Sequence, residues 1–369
     1  MNKILYVSLC GALLLGGCQN RYEPADSAST GKGKAIGFSA VLEKNSRAEA
    51  TTSANINNFA VAGFVAGAPT PAYIQNLGTG AHWAYVDKDA SSGSWTYSPM
   101  AEWPAGEVTF LAYSPQGANT HFSSPSLIDT NSDETEMSTL TYSVSEIMSG
   151  QKDFLVSAIK QTFAPGAGTV TLNFKHALSR LQFKARYVTG SASAITVTDI
   201  SLFNLKKTGT LDLRTALPSG SLAWTNLNDE LDSLSVVPHP NFKAVIPKGT
   251  DYSPVLVADS AVMAMPQPTT LGSSKYGVNT QPGGDTDAAK SGSAFYVAVT
   301  WAMGAGVTRT SLCAVPDPSD LSKGIEFKPG KQYTLIFTLD SDANLITVGD
   351  VTVEDLTDVD GGVVTPPAA

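Results

Sequence analysis

The sequence predicts an all-β protein arranged as two β-sandwiches in tandem, and three observations carry that prediction. Short apolar runs between Ile36 and Val353 alternate with polar residues, the period of strands with one buried face. Turn formers separate the runs: Gly 32 and Pro 21 are plentiful, whereas charged residues make up only 15%. No window sustains the period of an amphipathic helix. At 369 residues the chain is long enough for two domains of ordinary size after a short leader is subtracted.

Taken in order, the chain opens on Lys3 and an apolar run from Ile4 to Leu15, followed by Gly16-Gly17-Cys18. The run is too short to span a bilayer and is read as a signal peptide over residues 1–17. A cysteine directly after Leu15-Gly16-Gly17 resembles the lipobox of bacterial lipoproteins. That resemblance implies that Cys18 is diacylated (palmitate is one expected chain) and becomes the N-terminus. The other reading is an ordinary signal peptide that contains a cysteine. Residues 18–33 are too polar to fold and form a tether.

A strand follows in which Ile36, Phe38, Ala40 and Leu42 share one face. Behind it comes the polar run Glu43 to Ala50, which contains Lys44 and Arg47. Further strands are expected at Phe59–Phe64, His82–Val86, Ser94–Ser98, Val108–Tyr113, Thr139–Val144 and Phe154–Ile159. The clearest pattern spans Thr169 to Tyr187, with His176-Ala177-Leu178-Ser179 marking a bend or a crossing between sheets.

The small residues Thr189 to Ser193 suggest a boundary. The expected organisation is therefore an N-terminal sandwich over 34–189, with its first strand at 34–43, and a C-terminal sandwich over 190–355. A tail over 356–369 completes it. The second series of strands starts at Ile195 and includes Leu202–Leu205, Thr210–Leu213, Phe242–Ile246, Ala261–Met265, Phe295–Trp301, Tyr333–Leu339 and Ile346–Val353. Thr269 to Gly292 reads as a long loop.

The net charge of -9 argues against nucleic acid as a partner. With Cys10 removed and Cys18 acylated, Cys313 stands alone, so no internal disulfide forms; it reads as a small buried strand residue. Four scattered histidines supply no metal cluster, and no cofactor or metal is expected. Gly31 to Gly37 lacks the strand and helix of a phosphate cradle. Asp340 to Asn344 begins like a calcium loop, but Leu345 and Val351 stand where Gly and Glu are needed. The acidic Asp129, Asp133, Glu134 and Glu136 read as a solvated loop. No nucleophile elbow or catalytic triad is present, so no enzyme is expected. The paired carboxylates of a glycosidase leave no mark that sequence alone can exclude.

Three groups of segments together resemble the fimbrillin family, the type V pilins and fimbrillin-like lipoproteins of Bacteroidota. The first is Ser92 to Pro99 with Trp103-Pro104-Ala105-Gly106 and Phe110 to Pro115. The second runs from Val170 to Phe183, and the third combines Val262 to Gln267 with Phe327 to Tyr333. The resemblance implies two transthyretin-like Greek-key β-sandwich domains. It also implies export to the outer membrane as a lipoprotein, with lipid as the first partner through Cys18. A trypsin-like or arginine-specific protease then removes the first strand, and a strand of another pilin subunit fills the groove by β-strand addition, giving a surface fimbrium.

On this sequence the removable strand would be Ile36 to Leu42 and the cut would fall between Arg47 and Ala48, with Arg21 and Lys44 as weaker sites. The chain departs from many relatives in carrying Leu356 or its neighbours where they have a tryptophan, and its tail ends in prolines that cannot donate to a ladder. If Leu345 to Val353 completes the second domain, the chain has a groove but no strand to offer. That would favour a tip or accessory subunit over a stalk. The rival is an uncleaved surface lipoprotein that anchors a fimbria or binds a ligand.

Overall fold

The computed structural model describes residues 34–42, 56–65, 83–116, 138–146, 151–165, 168–190, 192–231, 233–236, 242–256, 262–272, 292–303, 308–340 and 345–355. Strands β1 (Gly37–Leu42), β2 (Asn58–Val65), β3 (Ala84–Lys88), β4 (Trp95–Thr96), β5 (Glu107–Ser114), β6 (Thr139–Ser143), β7 (Leu155–Thr162) and β8 (Thr169–His176) occupy the first half. The second half begins with β9 (Ser179–Thr189), β10 (Ala194–Phe203), β11 (Leu205–Asp212), β12 (Trp224–Leu231), β13 (Leu234–Ser235) and β14 (Ala244–Pro247). Short strands β15 (Ser253–Pro254), β16 (Val262–Ala264) and β17 (Thr270–Leu271) follow. The chain closes with β18 (Ala294–Ala302), β19 (Arg309–Ala314), β20 (Pro316–Asp317), β21 (Asp320–Gly324), β22 (Lys331–Asp340) and β23 (Leu345–Asp355). Among the described residues the helical element is a 3-10 turn, Leu213–Ala216, capped by the Asp212 side chain. The expected all-β class holds.

The first half is built on a seven-stranded sheet of order β1-β8-β7-β5-β2-β3-β4. Its two ends approach each other: β1 lies against β4, and Ala35 bridges to Glu102. The sheet therefore rolls around one core, which holds Phe38, Phe59, Trp103, Phe110, Leu172 and Phe174. Its other face packs on a three-stranded sheet, β12-β11-β6, over a second core centred on Tyr113, Tyr142, Phe154 and Leu211. Trp224 seals that core and donates its Nε1–H to Ala177 O at 2.7 Å.

The second half is a sandwich of β15-β9-β22-β23, with β16 on β9, against β13-β10-β18-β17, with β14 and β19 alongside. Inward residues alternate along each strand: Leu181, Phe183, Ala185 and Tyr187 of β9, with Leu335 and Phe337 beside them on β22, face Ile195 and Val197 of β10 and Phe295 and Val297 of β18. A bulge between Val197 and Asp199 resets the phase, so Ile200 and Leu202 return to the core.

The chain changes sheet across two residues, Ala177-Leu178. β8 belongs to the rolled sheet, whereas β9 pairs parallel with β22. This is the sheet crossing expected at His176 to Ser179. The chain then returns: β11 pairs with β6 of the first half. The expected strand Leu202–Leu205 is broken at Asn204, whose φ of 63° is a left-handed conformation that asparagine tolerates. Its Nδ2 donates to Ala294 O at 2.6 Å, fixing the turn that sends β11 to the other sheet. Within the expected loop, Thr270–Leu271 pair parallel with β18.

Candidate functional site

β1 is the strand with which the rolled sheet closes. Its alternation does what the sequence pattern requires: Ile36, Phe38, Ala40 and Leu42 are all buried, while Val41 is 37% exposed. Pairing with β8 is parallel, in the register Phe38↔Val170, Ala40↔Leu172 and Leu42↔Phe174. Parallel ladders are slightly weaker per residue than antiparallel ones, which puts more of the hold on the side chains. Burial of the isoleucine, phenylalanine and leucine contributes roughly 1.5–3 kcal/mol each.

Phe38 is the anchor. Its ring lies 5.3 Å from Tyr97, 5.9 Å from Phe110 and 6.0 Å from Phe59, the last two edge-to-face. The N-terminal end is gripped through main-chain groups. Ile36 N–H donates to Ala101 O at 2.8 Å, Trp103 N–H to Lys34 O at 2.9 Å, and Gly37 N–H to Gly168 O at 2.9 Å. Tyr97 completes the grip: its hydroxyl donates to Ile36 O at 2.9 Å and accepts from Ala101 N–H at 3.1 Å. On the outer face Ser39 Oγ donates to Thr171 Oγ1 at 3.0 Å. The side chains of the core on which β1 sits, Phe59, Tyr97, Trp103, Phe110, Leu172 and Phe174 among them, make its seat an apolar surface.

Alternation alone found the four inward residues. Phe59 enters the sequence reading as a strand residue, and Tyr97, Trp103 and Phe110 through the segments that carry the family resemblance; their convergence on β1 depends on the roll of the sheet, which alternation does not encode. Cys18, Arg47 and Ala48 lie outside the described residues, as do Arg21 and Lys44.

The other end of the chain is occupied in a different way. β23 runs antiparallel along the full length of β22, from Lys331↔Asp355 to Asp340↔Leu345. Val351 enters the core of the second half, whereas Val353 is exposed. The strand completes the sheet that holds β9 and β22. Residues 356–369 lie outside the described residues.

Elsewhere, Cys313 is buried in β19 and its thiol is pushed up to about 12 by burial, so it is no nucleophile. Among the described residues no group of three His, Cys, Asp or Glu side chains is placed to hold a metal. The acidic residues Asp129, Asp133, Glu134 and Glu136 lie outside them. An open cleft of about 730 Å³ lies where the two halves meet, between Lys175, Trp224, Pro266 and Lys328. Lys175 Nζ there donates to Leu217 O at 3.3 Å, and His176 Nδ1 hydrogen-bonds Asp153 Oδ2, which are contacts that fix loops.

The family model for fimbrillin-like proteins matches residues 33–355, which begins just before β1 and ends with β23. The chain belongs to the fimbrillin-like family. A crystal structure of a fimbrial protein from Bacteroides vulgatus ATCC 8482 superposes with a TM-score of 0.59 at 16% identity, covering 88% of this chain and 100% of that one. A candidate cell adhesion protein from Bacteroides uniformis ATCC 8492 gives a TM-score of 0.48 at 15% identity over 88% of this chain and 99% of its own. The C-terminally truncated tip fimbrial protein Mfa3 from Porphyromonas gingivalis gives 0.41 at 10% identity over 82% and 95%. No curated protein matches the chain by sequence. Fimbrillin-like proteins are non-enzymatic fimbrial subunits, in line with the expectation from sequence.

Proposed function

We propose that this fimbrillin-like chain is a structural and adhesive subunit of a cell-surface fimbria, delivered to the outer membrane on acylated Cys18 and assembled by strand exchange. Cleavage between Arg47 and Ala48 would release β1, and a strand from a neighbouring subunit would take its seat. The observation that carries this reading is the manner in which β1 is held. It closes the rolled sheet through alternate side chains and main-chain hydrogen bonds, which any strand of suitable pattern can supply. Arg47 lies between the end of β1 at Leu42 and the next strand at Asn58, so one cut there would leave β1 with no covalent link to the rest.

The two halves would then divide the work, with a groove in the first domain and no strand offered by the second. Because β23 is committed to β22, a tip or accessory position is favoured over the stalk. A second reading draws on the complete burial of the inward face of β1: the strand stays in place, and the protein remains an outer-membrane lipoprotein that anchors a fimbria or binds a ligand. The mature N-terminus separates the two. N-terminal sequencing of sheared surface material would give Ala48 for the subunit and acylated Cys18 for the anchored protein. An Arg47→Ala precursor is expected to stay full length and fail to enter fibres; its normal assembly would refute the proposed cut.

A further inference from the structure

The seat of β1 consists of two parts with different selectivity. At the N-terminal end every hydrogen bond is made to main-chain atoms: Lys34 O, Ile36 N–H, Ile36 O and Gly37 N–H. Tyr97 reads the backbone at Ile36 and nothing of its side chain. Those bonds therefore fix register and direction without discriminating among sequences. The inward side-chain positions discriminate. The second inward position is a cage of Phe59, Tyr97 and Phe110 around an aromatic ring. The third, Ala40, is 2% exposed opposite Leu172, so a larger side chain there would overpack a closed core. The first and fourth hold Ile36 at 0% and Leu42 at 7% exposure.

We infer that the seat of β1 selects a partner strand of another chain with the inward pattern aliphatic, aromatic, small, aliphatic at alternate positions, lying parallel to β8, and that it rejects the C-terminal strand of its own chain. This rests on the reading that β1 leaves. The rejection follows from sequence and register together. As a regular extended strand, the sequence of residues 345–355 would put Leu345, Thr347, Gly349, Val351 and Val353 on one face and Ile346, Val348, Asp350, Thr352 and Glu354 on the other. Neither face offers a ring to the cage, and the second places carboxylates in it, where no charge partner waits. No residue after Phe337 in this chain is aromatic. An empty aromatic cage leaves a void flanked by three rings, a costly defect in a packed core. The groove would therefore drive association between unlike subunits and oppose self-polymerisation through the C-terminus.

The test uses the whole chain, cut after Arg47 with an arginine-specific protease in the presence of labelled competing peptides, so that the protein is the same in every arm. One peptide carries residues 34–43, a second the same residues with Phe38→Ala, a third with Ala40→Phe, and a fourth residues 345–355. Label retained after gel filtration is the readout. The first peptide is expected to be retained, and each of the others at least tenfold less. Equal retention of the 345–355 peptide or of the Phe38→Ala peptide would overturn the selectivity while leaving strand loss standing. A cut protein that keeps its own first strand and retains no peptide would overturn both.

Discussion

Phe38 carries more of the closing strand than any other residue, because three rings converge on it from strands that are far apart in sequence. In the uncut chain Phe38→Ala should cost about 3–5 kcal/mol, read as a fall in the denaturant midpoint of the first half. Val41→Ala on the outer face should stay within about 0.5 kcal/mol. Tyr333 plays the corresponding part in the second half: its hydroxyl donates to Glu326 O and accepts from Lys328 N–H, both at 2.8 Å. Burial, the larger influence, pushes its phenol from 10.0 up to about 12 against the Lys328 hydrogen bond. Burial also raises Tyr113 and Tyr142. A folded pKa above the unfolded one leaves this stabilisation whole below pH 10, erodes it as the unfolded phenol ionises, and removes it as the pH passes 12. Tyrosinate absorbance should therefore lag behind model tyrosine until the chain unfolds in that window. A Tyr333→Phe chain should lose part of the lag. At this scale alternation made the inward face of β1 legible. It could not reveal Tyr97, which meets Ile36 across 61 residues only because the sheet rolls.

Among the elements, β1 differs from β9 and β22 in how it is embedded. β22 is paired on both sides, parallel to β9 and antiparallel to β23, whereas β1 is laddered to β8 and bridged at Ala35 to Glu102. Amide exchange should show this directly. In the uncut chain the amides of β1 that ladder to β8 should be protected; after cleavage behind Arg47 they should become exchangeable while those of β9 and β22 stay slow. Unchanged protection of β1 in the cut protein would mean that the strand remains seated. Elements with strict period two were legible from sequence, β1, β8, β9 and β18 above all. β12 was not, because Asn226 takes a φ of 49° and the ladder with β11 shifts register there. Trp224 and Leu227 then face the same core three residues apart, a spacing that matches neither strand nor helix. The place where β10 ends was hidden for a similar reason, the left-handed Asn204.

At the scale of the whole molecule, the two halves share strands as well as a covalent link. The β6–β11 ladder, from Thr208↔Ser143 to Asp212↔Thr139, joins segments on either side of the expected boundary. Small, uncharged residues at 189–193 look like a linker in the sequence, whereas long-range pairing decides which sheet a strand enters. The C-terminus gives the sharpest test at this scale. Deleting residues 356–369 should leave the melting temperature unchanged. Deleting from residue 341 onward should lower it markedly, since β22 loses its whole outer ladder and the core loses Val351. Equal melting temperatures for the two deletions would show that β23 contributes little to its own sheet.

The direct passage from β8 into β9 also bears on how such a subunit would carry load. Only Ala177 and Leu178 separate the two strands, and both are fully buried. A pull on whatever strand occupies the seat beside β8 enters the ladder along its length, so that many hydrogen bonds resist together and none is peeled singly. From there tension passes through two covalently joined residues into β9, and from β9 into β22 and β23, again lengthwise. The link between the halves on this route is main chain, with the β6–β11 ladder bracing it from the side. Such a subunit would yield first at the lodged strand, making the fit of Phe38 or its replacement the mechanical fuse of the assembly.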